Sequence, residues 1–150
     1  MVFALDAGRY AIAVAAAERI VRAAEVTPLP AAPGLVLGVL DVGGRVLPVF
    51  DTRLRFGLPR RAIEPSDHFL IARAGERRVV LVIDRPLGVI DQPTDAVVEA
   101  GLITHGLTHI RGVIRLEDGL VLIQDLEQLL TEDEAHALDN ALLKESYGVA

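Results

Sequence analysis

The sequence predicts a mostly β protein with two related β-rich halves, short helices and one longer helix near its C-terminal end. Three observations lead to this fold class. A β-hairpin followed by a helix-capping aspartate occupies residues 38–57, and residues 112–130 repeat the arrangement without a gap. Of the 150 residues, 51% are hydrophobic but only 4% are aromatic, so the core must consist mainly of Val, Leu, Ile and Ala. At this length we expect one domain covering residues 1–150.

The first hairpin is indicated by two apolar runs around a Gly43-Gly44 pair, in GVLDVGGRVLPVF (38–50). Adjacent glycines supply the positive φ angles that a two-residue hairpin turn requires. Asp51 follows directly and is expected to cap a short helix over residues 52–56. Pro48 has no amide hydrogen to donate to a neighbouring strand, so we expect it at a sheet edge or a bulge.

The second hairpin repeats the first with a constant offset, in GVIRLEDGLVLIQD (112–125). Gly38 corresponds to Gly112, Val46 to Leu120, and the capping Asp51 to Asp125. Apolar class, turn position and cap all coincide, so we infer an internal repeat. The repeat divides the domain into approximate halves 10–66 and 67–130, followed by a helix over residues 131–146.

The rest of the chain predicts further strands and connections. Residues 2–5 and 10–14 are expected to be strands around a turn at 6–8, followed by a helical turn at 15–17 and a strand or short helix over 18–26. Residues 27–34 and 58–66 are proline-containing loops. Strands are expected at 68–72 and 79–83, and residues 86–90 are expected to continue the second of these past a break. Thr131 and Glu134 have the spacing of a capping box at the start of the last helix.

Composition and charge exclude several function classes. Cysteine is absent, which removes disulfides and thiolate chemistry and fits a reducing cytoplasm. The net charge of −6 is unlike that of a nucleic-acid-binding protein. No stretch approaches the about 18 uninterrupted apolar residues that a membrane span needs, so direct membrane insertion is not expected.

Charge is unevenly distributed along the chain. Arginines are concentrated in the middle, whereas Lys144 is the only lysine or arginine after Glu117. Two interpretations remain open. The charges form ordinary solvated faces, or the arginines form a surface for an acidic protein partner, because guanidinium groups are suited to contacts with carboxylates.

Residues capable of catalysis are scarce. Ser66 and Ser146 are the only serines and neither lies in a G-x-S-x-G motif; no phosphate-binding loop is present either. Asp51 and Asp125 occupy helix-capping positions, which explains them without catalysis. We therefore expect neither an enzyme nor a cofactor.

The histidines suggest an alternative from a different function class. His105 and His109 lie four residues apart and could hold a metal ion, although the sequence marks no third ligand. A ligand-binding or metal-dependent domain that uses these two histidines therefore remains an alternative. His68 and His136 are expected at the surface.

The first hairpin also resembles a known family. GVLDVGGRVLPVFDTR (38–53) is similar to the G-V-I-N-L-R-G-x-V-I-P-V-x-D-L-R segment of the CheW chemotaxis coupling proteins. The likeness covers nearly the whole chain. It includes the Y-x-I strand at 10–12, the proline loop at 27–30, the V-D step at 83–84 and the D-G hairpin and helix at 118–130.

The resemblance implies two intertwined five-stranded SH3-like barrels around a shared core, with short helices and a C-terminal helix. It implies an adaptor that bridges the cytoplasmic tips of methyl-accepting chemoreceptors to the regulatory domain of a CheA-type histidine kinase. In the family, the receptor tip lies in the groove between the barrels, and the kinase domain pairs barrel end to barrel end.

Nine residues form the protein-binding set that this resemblance implies. The candidates for the groove or its wall are Val14, Ile20, Val42, Phe69 and Val89. Arg45 and Arg53 are expected to be charged contacts near the hairpin end, and Glu18 and Gly43 complete the set.

The chain departs from the family pattern at several positions. Gly43 stands where the family has an arginine, Thr52 replaces a leucine, Arg19 stands where a glutamate is usual, and Pro86 stands where the family often has the second valine of V-D-x-V. These departures leave partner choice open. A diverged adaptor in a pilus or gliding motility pathway is the second interpretation.

Overall fold

The computed structural model describes residues 1–91, 97–99 and 109–147. Within them, the strands are β1 (Val2–Leu5), β2 (Gly8–Ala11), β3 (Ala17–Arg22), β4 (Val36–Val42), β5 (Arg45–Phe50), β6 (His68–Ala74), β7 (Arg77–Ile83), β8 (Arg85–Gly88), β9 (Val97–Glu99), β10 (Ile110–Leu116) and β11 (Gly119–Gln124). The helices are α1 (Thr52–Arg55) and α2 (Glu132–Tyr147), with short 3-10 helices at Val14–Ala16 and Leu126–Gln128. No helix in this part of the chain has the length and apolarity needed to cross a membrane.

The strands form two sheets, which confirms the mostly β fold. The first sheet has six strands in the order β8-β1-β2-β11-β10-β9, and the second has five in the order β3-β6-β7-β5-β4. The sixth strand of the first sheet exceeds the five expected per barrel. The second sheet curls until Thr27, beyond the end of β3, forms a bridge with Val39 at its opposite edge.

The internal repeat is confirmed at the level of strand register. In the first hairpin, the pairing shifts between Val36 and Gly38, and in the second it shifts at the equivalent step between Ile110 and Gly112. Each hairpin then adds a parallel strand on the same side. Strand β5 pairs with β7, and β11 pairs with β2.

The two sheets are intertwined along the sequence. The N-terminal hairpin β1–β2 joins the C-terminal strands, while β6 and β7 join the strands of the first repeat. A boundary at 66/67 therefore does not separate the sheets. The expectation that residues 86–90 continue the preceding strand is wrong, because the chain turns at Asp84 and β8 pairs with β1 in the other sheet.

The N-terminal segment differs from the prediction in its boundaries. The second strand begins at Gly8, which pairs with Leu5, and ends at Ala11 rather than extending to residue 14. Asp6 adopts a φ of 52° in the two-residue turn, a conformation that Asp tolerates better than most residues. Val14 begins a 3-10 helix, so the predicted helical turn starts one residue earlier.

The turn and cap predictions for the first hairpin are confirmed. Gly43 and Gly44 have φ angles of 60° and 86°. The Asp51 side chain accepts a hydrogen bond from the backbone N–H of Leu54 at 3.2 Å. The edge or bulge prediction for Pro48 is wrong, because β5 lies between β4 and β7 and the register shift is elsewhere. Parallel pairing with β7 begins only at Val49, so the absent N–H of Pro48 costs no hydrogen bond between the strands.

The core consists of three apolar clusters. The largest lies between the sheets and is covered by α2 through Leu138 and Ala141. It includes Phe3 from the first sheet and Phe50 from the second, both fully buried. The other two clusters lie within the second and the first sheet. The shared cluster fixes the two sheets against each other and positions the surfaces described next.

Candidate protein-binding surfaces

The predicted groove residues separate into exposed and interior positions. Val14 and Val89 are exposed and Ile20 is half-buried, so all three can contact a partner. Phe69 is 0% exposed and Val42 is 8% exposed, and both belong to the core cluster of the second sheet. Phe69 and Val42 therefore support the sheet from inside and do not offer contact area.

Arg53, which the sequence predicted as a charged contact, is only 4% exposed. Its Nη2 atom donates to Asp6 at 3.0 Å and also to Asp84. Burial alone would lower the pKa of Arg53, but its hydrogen bonds to the two carboxylates outweigh burial and raise it. The side chain is thus an internal link between α1, the β1–β2 turn and the crossing from β7 to β8.

A second arginine extends this ionic network to the loop before β6. Arg61 donates to both oxygens of Asp67, at 2.7 and 2.8 Å, and to Asp84 at 2.8 Å. Burial favours the neutral form of Asp67. The Arg61 guanidinium and the N–H of Glu64 nevertheless lower the pKa of Asp67. The network anchors the loop to both sheets.

The first hairpin end carries exposed residues of the predicted set. Gly43 and Arg45 are exposed, and the next residue, Val46, is 57% exposed. Glu18 lies on the same sheet and accepts hydrogen bonds from Arg78 at 2.8 and 3.0 Å. Hydrogen bonding to Arg78 is the main reason why the pKa of Glu18 is lowered. A cleft of about 310 Å³ opens at this end.

The second hairpin end is similar in shape but differs in charge. Leu120, the repeat equivalent of Val46, is 56% exposed. The turn here is Glu117-Asp118 rather than Gly43-Gly44, and Asp118 accepts hydrogen bonds from Arg9 at 3.2 Å. The molecule thus presents two equivalent apolar positions, with an arginine beside one and a carboxylate pair beside the other.

Val46 and Leu120 were missed as surface residues by the sequence analysis. Each begins an apolar pair after a turn (Val46-Leu47 and Leu120-Val121), so composition alone does not say which member faces water. Strand alternation from the turn could have identified them, because successive residues of a strand point to opposite faces. Leu143 on α2 is a third exposed apolar residue that was missed.

His109 belongs to the candidate metal site and lies within the described residues, where it has a different role. Nδ1 of His109 lies 2.8 Å from the carbonyl oxygen of Gln128, and Nε2 lies 3.2 Å from Nη1 of Arg55. A carbonyl only accepts and a guanidinium only donates, so these contacts use the Nδ1–H group and the Nε2 lone pair of His109 and leave no ring nitrogen for a metal. His105 lies outside the described residues. Among residues 1–91, 97–99 and 109–147, no three metal-ligating side chains cluster.

The remaining histidines occupy positions close to those expected. His136 is exposed on α2 and His68 is half-buried at the start of β6, with Nδ1 3.0 Å from the carbonyl oxygen of Asp84.

Comparison with known proteins identifies the family. The sequence model of the CheW-like domain matches residues 1–134 of this chain. The chain belongs to the CheW-like family. The chemotaxis protein CheW of Treponema pallidum is 26% identical over 144 residues, which cover 92% of this chain and 85% of that protein. CheW of Helicobacter pylori is 29% identical over 134 residues, covering 87% and 80% respectively.

A solved CheW structure has the same fold. The scaffolding protein TtCheW from Thermoanaerobacter tengcongensis superposes with a TM-score of 0.80 at 21% identity, and the match covers 89% of this chain and 92% of that one. At this identity the likeness shows the fold alone. It agrees with the packing of two intertwined sheets around a shared core.

Proposed function

We propose that this chain is a non-enzymatic adaptor in bacterial chemotaxis signal transduction. It would act in the cytoplasm and couple chemoreceptor tips to the regulatory domain of a CheA-type histidine kinase. The match of the CheW-like domain to residues 1–134 is the observation that carries the proposal. The similar proteins from Treponema pallidum and Helicobacter pylori are both named as chemotaxis proteins, and TtCheW is named as a scaffolding protein.

We assign the two partners to different surfaces. The exposed residues Val14 and Val89, with Ile20 on β3, form the proposed receptor surface. Glu18 lies at the other surface, because it accepts hydrogen bonds from Arg78 in the cleft at the first hairpin end. Gly43, Arg45 and Val46 at the first hairpin end form the proposed kinase surface. Exposed aliphatic side chains favour such contacts, because their burial releases about 25 cal/mol per Å² of apolar area.

Three residues of the sequence-derived set are reassigned within this proposal. Val42 and Phe69 support the second sheet from its core, and Arg53 links the two sheets. Replacing any of them would reduce partner binding through loss of folding. Binding assays on such variants therefore report stability and not contact.

The test measures affinity for each partner separately. The kinase regulatory domain and a soluble receptor-tip fragment from the same organism are titrated by calorimetry against the chain and two variants. Val46→Asp is expected to weaken kinase binding at least tenfold and to leave receptor binding within twofold. Val89→Asp is expected to do the reverse, because each carboxylate enters only one apolar contact.

The same titrations provide the controls and the results that would contradict the proposal. Each variant must keep the wild-type thermal midpoint, which both exposed positions should allow. The proposal is wrong if the wild-type chain binds neither partner. Binding only to components of a pilus or gliding pathway would replace chemotaxis with the second interpretation.

A further inference from the structure

Strand β3 places an arginine on the same face as Ile20. Successive residues of a strand point to opposite faces, and the pairing of β3 with β6 is regular from Arg19 to Arg22. Ile20 and Arg22 therefore share one face, whereas Arg19 lies on the other. Ile20 packs against the apolar cluster between the two sheets. The face that it shares with Arg22 is thus the one that belongs to the proposed receptor surface.

Arg22 carries an uncompensated charge on this face. The residue is exposed and forms no ion pair with any residue that the structure describes. Its cross-strand neighbour is His68, whose Nδ1 atom lies 3.0 Å from the carbonyl oxygen of Asp84. Side chains that lie directly opposite each other on two strands are about 5 Å apart, so these neighbours interact most strongly. The neighbour of Arg22 is an imidazole and not a carboxylate.

The carboxylates around this end of β3 have other partners or face another surface. Asp67 and Asp84 both accept hydrogen bonds from Arg61. Glu25 lines a separate cleft beyond the end of β3. At the start of the strand, Glu18 accepts hydrogen bonds from an arginine of β7. The charge that remains available on the receptor face of β3 is therefore positive, although the chain as a whole has a net charge of −6.

We propose that Arg22 is a specificity-determining residue of the receptor surface and pairs with an Asp or Glu side chain of the receptor tip. This inference rests on the proposed function, and Arg22 lies outside the nine residues that the family resemblance implies. Arg22 and Ile20 are two residues apart, which is about 7 Å along a strand. One turn of a helix spans about 5.4 Å. A matching helical segment therefore carries its acidic residue about one turn from the apolar side chain that packs on Ile20.

The test measures the affinity of a soluble receptor-tip fragment by calorimetry. Wild type is compared with Arg22→Glu and with the neutral Arg22→Gln. The charge reversal is expected to weaken binding at least tenfold at low salt, because it places two carboxylates against each other, and the neutral variant about threefold. Raising the salt concentration should reduce both differences, because exposed charges are screened.

A reciprocal exchange of charge distinguishes a direct contact from a structural role of Arg22. Each Asp and Glu of the tip fragment is replaced by Lys in turn. One of these replacements is expected to weaken binding of the wild-type chain at least fivefold, and to bring Arg22→Glu back to within threefold of the original pair. A structural role of Arg22 would not respond to the charge of the fragment.

A matched control makes the same change of charge in the other sheet. Arg115 is exposed on β10, where it pairs with Leu120, and Arg115→Glu should stay within twofold of wild type. Affinity of Arg22→Glu for the kinase regulatory domain should also stay within twofold. Arg22 pairs with the first residue of β6, whereas the first hairpin end lies beyond the last one. Both variants should keep the wild-type thermal midpoint, and Arg22→Gln decides the question if the charge reversal lowers it.

The outcomes separate this inference from the function on which it rests. If the wild type binds both partners and the Arg22 variants weaken tip binding no more than Arg115→Glu, the acidic-contact proposal is overturned and the adaptor function stands. The proposal is also overturned if no Lys replacement in the fragment restores binding to Arg22→Glu. If the wild type binds neither partner, the adaptor function and this inference both fail.

Discussion

Arg53 and Asp6 are 47 residues apart in the chain, yet Nη2 of Arg53 lies 3.0 Å from Oδ1 of Asp6. The same nitrogen donates to Asp84, and the backbone N–H of Asp6 donates to the other oxygen of Asp84 at 2.7 Å. Asp6 belongs to the first sheet, while Arg53 follows a strand of the second. The three residues thus fasten the two sheets, and with them the proposed receptor and kinase surfaces, in one arrangement.

Replacing Arg53 should destabilise the fold strongly. Arg53→Ala removes the charged hydrogen bonds to Asp6 and Asp84, and we expect a loss of about 2 kcal/mol in the free energy of unfolding. The loss is not larger because Asp84 keeps Arg61 and Asp6 is partly exposed. Urea denaturation measures this loss. Arg85→Ala, at an exposed position on β8, is the control and should change the free energy of unfolding by less than about 0.5 kcal/mol. A similar small change for Arg53→Ala would show that the network does not fasten the sheets.

Gly38 should be irreplaceable because the chain passes close to it. A Cβ atom at Gly38 would overlap the carbonyl oxygen of Thr27 and lie 2.7 Å from Cγ1 of Val26. Gly38→Ala is expected to cost about 2–3 kcal/mol, since the Thr27 bridge to Val39 must open to relieve the overlap. Thermal unfolding compares it with Gly34→Ala, where the nearest atom is 3.9 Å away. Equal midpoints for the two variants would contradict the closure of the second sheet at this bridge.

Stability should fall in acid through Asp67. Its pKa is lowered in the folded protein from the ordinary value of 3.8, so its contribution is complete above that value and is lost as pH falls through the folded pKa. We expect Asp67→Asn to reduce the free energy of unfolding by about 2 kcal/mol at pH 7. The reduction should be smaller near pH 3, because below 3.8 the carboxyl of the unfolded chain takes up a proton and the advantage of the folded, ionised form shrinks. Urea titrations at the two pH values measure this, and a constant difference between them would exclude the mechanism.

Helix α2 should depend on its capping box. The Thr131 hydroxyl accepts from the N–H of Glu134 at 3.1 Å, and the Glu134 carboxylate accepts from the N–H of Thr131 at 2.9 Å. Thr131→Ala should cost about 1 kcal/mol, whereas Thr131→Ser should restore most of it. Thermal denaturation followed by circular dichroism compares the two. If Ser is no better than Ala, the hydroxyl is not the stabilising group.

Local features of the fold could be predicted from the sequence, because their causes are local. The glycine pair at 43–44 determines the first turn, and Asp51 caps the helix that follows. The repeat predicted the second hairpin correctly, down to the equivalent cap at Asp125, which accepts from the N–H of Glu127 at 3.1 Å.

Features that depend on distant partners could not be predicted. The family resemblance assigned Arg53 to a contact surface, and no local pattern indicates its partner Asp84, which lies beyond the next two strands. Pairing of β8 with β1 joins segments more than eighty residues apart, which no local pattern indicates. Val42 was assigned to a contact surface although the curl of the second sheet encloses it.

Formation of a three-component complex tests the adaptor function most directly. The kinase regulatory domain and the receptor-tip fragment are passed together over a size-exclusion column with and without this chain. The account predicts that the two partners co-elute only when the chain is present, and that Val46→Asp releases the kinase domain while the receptor fragment stays bound. Co-elution of the two partners without the chain, or no binding of either one to it, would contradict the account.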